Sequence, residues 1–61
     1  MTKVFNLSNP ITEDDIPSNL KMMMTSPVKR ITQMIVDGME VHIEGRTLTA
    51  YRDGNLIIRL G

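Results

Sequence analysis

Asp53-Gly54 lies between two runs of strand-forming residues, and no other dipeptide in the chain restricts its fold as much. Both positions of a two-residue type I′ loop need positive φ, which Asp and Gly tolerate, so Arg46 to Arg52 and Asn55 to Leu60 are expected to pair as a hairpin. Upstream, Met39, Val41 and Ile43 alternate with Glu40, His42 and Glu44, the period of a half-buried strand, and Glu44-Gly45 offers a second tight turn. A three-stranded antiparallel meander follows.

Ahead of it the period lengthens. Val28, Ile31, Met34 and Ile35 fall on one helical stripe, with Lys29, Arg30, Thr32 and Gln33 opposite. Ser26 suits the N-cap and Pro27 the first helical position, while Gly38 after Asp37 supplies a left-handed exit, so a helix over Pro27 to about Val36 is expected. Residues Thr2 to Leu7 are compatible with a short strand, with Lys3, Phe5 and Leu7 on one side, ended by Asn9-Pro10. From Thr12 to Met24 the signals conflict, because a cap-like Thr12 and acids Glu13 to Asp15 are interrupted by Pro17. A short turn and then a helical stretch after Pro17 is one reading. An arm with Ile11 and Ile16 as its only apolar anchors, settling against a partner, is the other. The expected class is α+β: one domain over 1–61, comprising a strand or irregular arm (1–25), a helix (26–38) and a meander (39–61).

Two-residue loops at Glu44-Gly45 and Asp53-Gly54 assign every strand residue to a face. They pair Ile43 with Arg46 and Val41 with Leu48, then Arg52 with Asn55 and Ala50 with Ile57. One face then carries Met39, Val41, Ile43, Leu48, Ala50 and Ile57, with Arg46, Arg52 and Arg59 among them, as a seat for the helix. The other carries Glu40, His42, Glu44, Thr47, Thr49 and Tyr51, together with Leu56, Ile58 and Leu60. A last strand apolar on both sides needs cover on both. Tyr51, Leu56, Ile58 and Leu60 are therefore the expected oligomer interface, formed by strand-strand association across a two-fold axis. A three-residue loop after Ile43 would instead shift the register and place those side chains in a monomeric core.

Size strengthens the case for association. A chain of 61 residues buries only about 60% of its unfolded surface, and small scaffolds usually add disulfides, a metal or a second chain. Without cysteine, and with a single histidine, the first two routes close. No cofactor or metal is expected. Seven basic and seven acidic side chains cancel, so no single-sign field draws the chain to nucleic acid or an anionic membrane. The longest apolar runs have three residues against the ~20 of a membrane span, and no apolar stretch of the secretory kind follows Lys3, so a cytoplasmic location and no membrane partner are expected.

Chemistry-bearing residues are sparse. His42 between Glu40 and Glu44 could be drawn as a proton-transfer group, but no nucleophile stands at a predictable partner position, and catalysis is not expected. Glu13, Asp14 and Asp15 lack the alternating ligand spacing and turn glycine of a calcium loop, and are candidate contacts for a basic partner surface. Met22, Met23 and Met24 cannot all face one core, and thioether side chains repack readily against varied surfaces, so this run is a candidate partner contact. Arg46, Arg52 and Arg59 are candidate anion-binding groups if they align along the hairpin edge. The stretch from Asp37 to Leu60, a glycine turn before alternating strands, is similar in outline to swapped-hairpin bacterial regulators, but their N-terminal basic strand motif is missing and no family follows.

Two functions are compatible with these features. The first is a small non-enzymatic homo-oligomer that binds another protein, of the kind phages encode to modulate or inhibit a host or defence component. The second is a regulator that contacts nucleic acid or a small anionic ligand through Arg46, Arg52 and Arg59 at a subunit interface.

Overall fold

The computed structural model describes residues 1–61 and contains strand β1 (Thr2–Phe5), helices α1 (Ser18–Met23) and α2 (Pro27–Val36), and strands β2 (Glu40–Glu44), β3 (Thr47–Arg52) and β4 (Asn55–Leu60). A single 3₁₀ turn spans Glu13–Asp15. The strands form one antiparallel sheet in the order β1-β2-β3-β4, so the class is α+β, with β1 added to the expected meander.

The helix α2 has the expected bounds, and Ile31 and Ile35 of its stripe are buried. Its exit is a Schellman motif: the Gly38 N–H donates to Ile35 O and the Met39 N–H to Met34 O, both at 3.0 Å, with Gly38 at φ 98°. Its entry differs from expectation. Ser26 is left-handed (φ 50°, ψ 61°) and its hydroxyl caps nothing, because a side chain reaches the free N–H groups only from an extended N-cap. The sharp bend is tied down instead by Arg30, whose Nε donates to Thr25 O at 2.9 Å.

The first hairpin turns at Gly45-Arg46, not Glu44-Gly45, so Glu44 pairs with Thr47, Ile43 with Leu48 and Val41 with Ala50. Displacing the loop by one residue moves the pairing by two, which leaves each side chain on its expected face. The second hairpin begins as expected. Asp53 (φ 52°) and Gly54 (φ 79°) form the loop, Arg52 pairs with Asn55 and Tyr51 with Leu56.

Then the register slips. Ala50 pairs with Ile58, Thr49 with Arg59 and Leu48 with Leu60, leaving Ile57 as the extra residue of a bulge. This corrects the expected faces of β4. Ile58 and Leu60 sit opposite core residues and pack against the core, whereas Ile57 is 50% exposed and Arg59 lies on the outer face. The exchange is favourable. A bulge forgoes about one ladder hydrogen bond, a net ~1 kcal/mol, whereas an unbulged strand would bury Ile57 in place of both Ile58 and Leu60 and turn a guanidinium toward the core.

The N-terminal third settles against its own chain. Phe5 is buried, Val4 pairs with His42 and Phe5 with Val41, and an Asn6–Asn9 turn ends the strand before Pro10. Asn6 Oδ1 accepts from the Ser8 and Asn9 N–H groups, and Asn9 Nδ2 donates to Val4 O at 2.7 Å. Ile11, Ile16 and Leu20 join Ile31 and Ile35 of α2 and Phe5, Val41, Ile43, Leu48 and Ala50 of the sheet in one buried cluster. All five sheet members share one face, so arm and helices cover that face only.

Candidate functional site: the open sheet face

Alternation along four strands leaves a second face that no element of the chain covers. Its residues form three cross-strand rows: Thr2, Glu44 and Thr47; then Val4, His42, Thr49 and Arg59; then Glu40, Tyr51 and Leu56. The middle is built around His42, half-buried, whose Nε2 lies 2.8 Å from Glu40 Oε1 and whose ring centroid is 4.7 Å from that of Tyr51 at a 51° tilt. Apolar side chains flank this pair, with Val4 37% and Leu56 54% exposed.

Charge on the face is separated by strand. Both carboxylates, Glu40 and Glu44, stand on β2, while the one cation, Arg59, stands on β4 with no carboxylate within 4.0 Å. Glu44 accepts a hydrogen bond from the Thr2 hydroxyl. Both sheet edges are poorly suited to adding a strand. β1 has only four residues and one of its carbonyls already accepts from Asn9, while β4 is bent by the bulge.

Of the expected interface residues, Tyr51 and Leu56 lie on this face, while Ile58 and Leu60 face the core. Val4 was missed, because its position follows from the pairing of β1 with β2, which no local pattern announces. The methionine run divides. Met24 packs against the core, whereas Met22 and Met23 are exposed and line a shallow groove of about 760 Å³ with Asn19, Arg46 and Gly61. Asn19 Nδ2 donates to Arg46 O at 2.8 Å, which holds α1 against the first hairpin loop.

The acidic run is partly engaged within the chain. Glu13 lies 3.5 Å from Lys21 and Asp15 3.7 Å from Lys3, while Asp14 has no cation within 4.0 Å. Asp15 also accepts from the Thr12 hydroxyl and N–H, and these bonds hold its carboxyl below its ordinary value of 3.8. The three arginines do not form a row. Arg46 is in the first loop, Arg52 is at the far end of β3 donating to Asp37 O at 3.2 Å, and Arg59 is on the opposite face because of the bulge. No group of three or more His, Cys, Asp or Glu side chains converges in a geometry that could hold a metal ion. No helix is long and apolar enough to cross a membrane.

No protein-family model matches the chain, and neither the curated proteins nor the solved structures contain a match to it.

Proposed function

We propose that this chain is a non-enzymatic, homo-oligomeric protein-interaction module of the cytoplasm. One observation carries the reading: a four-stranded sheet whose inner face is sealed by the arm and two helices presents Val4, Tyr51 and Leu56 to solvent on the other. In so small a domain, apolar surface left over after the core is filled is most simply accounted for by a second chain. The groove beside Met22 and Met23 runs along α1 next to the first hairpin loop and includes none of the outer-face residues, which leaves it as a surface for a different protein. Arg46, Arg52 and Arg59 stand on separate surfaces, so nothing in this reading depends on anion binding.

Solution mass by light scattering over a dilution series tests it. The expected result is a multiple of 6.9 kDa that falls toward one copy only on dilution. A single-copy mass up to millimolar concentration would end the oligomer reading.

A further inference from the structure

Granting self-association, the geometry points to its form: we infer that two copies stack outer face on outer face about a two-fold axis running along the strands. Sheets packed in this way lie about 10 Å apart with strands nearly aligned. Rotation about an axis along the strands reverses strand order, so β4 of one copy lies over β1 and beside β2 of its partner, and β2 lies over β3.

Charge selects this axis. Arg59 of one copy then hangs over the row of Val4 and His42, with Glu40 and Glu44 one row to either side on the neighbouring strand, within reach of a long guanidinium side chain. The contact occurs twice by symmetry. The alternative axis, across the strands, superposes β2 on β2 and β4 on β4, which brings Glu40 against Glu44 and Arg59 against Arg59. Like charges facing each other across a desolvated gap oppose association, so that arrangement is disfavoured. Edge-to-edge pairing is disfavoured independently by the short β1, its occupied Val4 carbonyl and the bulge in β4. In the chosen arrangement the two His42–Tyr51 pairs meet at the centre, and Leu56 of each copy approaches Val4 of the other.

A charge exchange tests the axis and the occupant together. Arg59→Glu in one variant and Glu40→Lys with Glu44→Lys in another each place like charges in both symmetric contacts. All three side chains are exposed, and dispersed amide spectra would verify that each variant folds; Glu44→Lys alone serves if the double change does not. Each variant by itself is expected to dissociate at least tenfold more readily by analytical ultracentrifugation. An equimolar mixture is expected to form a mixed dimer, seen by native mass spectrometry, because Glu now faces Lys at one contact and Arg faces Glu at the other. Variants that separate but do not recombine would overturn the axis. Variants that dimerise as tightly as the parent would overturn the arrangement that sets Arg59 against Glu40 and Glu44 while leaving oligomerisation intact, and a monomeric parent would sink both.

Discussion

The two faces of the sheet are made by the same strands and differ in what the rest of the chain does with them. On the inner face Phe5, Val41, Ile43, Leu48 and Ala50 are buried against the helices and the arm, while the outer face carries charged, hydroxyl and aromatic groups edged by Val4 and Leu56. Monomer stability therefore resides on one face, and the other is free to serve association. The strand β4 is where the two demands meet. Its bulge commits Ile58 and Leu60 to the core and leaves Leu56 and Arg59 outside.

The sharpest way to break this contrast is to hollow out the inner face. Leu48→Ala should cost about 2–5 kcal/mol in urea unfolding, a large share of the stability of so small a domain. A cost near zero would mean that the core does not carry the fold.

Next comes the bulge. Ile58→Asp should lower the unfolding free energy by about 2 kcal/mol, because a carboxylate then faces apolar neighbours, whereas Ile57→Asp, half exposed, should change it by less than about 0.5 kcal/mol. Reversed outcomes would restore the unbulged register. Measured in dilute solution, both report on the single chain and not on its association.

A smaller effect is expected where α2 hands over to the sheet. Gly38→Ala should cost about 1–2 kcal/mol by thermal or urea unfolding, all of it from the left-handed backbone, since nothing lies within 4 Å of the added methyl. The smallest concerns the arm. Because the folded Asp15 carboxyl sits below its ordinary value, its stabilising effect is present above pH 3.8 and fades as pH falls through the folded value. Asp15→Asn should consequently lower the urea midpoint at pH 7, and the gap to the parent should narrow in acid. A gap independent of pH would assign the loss to packing of the turn.

Much of the fold was legible in the sequence for local reasons. The α2 stripe, its glycine exit and the Asp53-Gly54 loop each depend on residues a few positions apart, and each formed as expected. The Ser26 cap did not, because Ser26 is left-handed and its hydroxyl does not reach the free N–H groups of α2. The candidate face was half legible. Alternation placed Glu40, His42, Tyr51 and their neighbours correctly, but Ile58, Leu60 and Arg59 went to the wrong sides.

Periodicity and turn chemistry alone determined the α+β class, the bounds of α2 and the inner face of β2 and β3, since each of these is specified by neighbours in sequence. Tertiary structure alone decided the seat of the arm, the pairing of β1 with β2 and the slip at Ile57. A strand apolar at both parities fits two registers, and only the shape of the core, contributed by residues distant in the chain, selects between them.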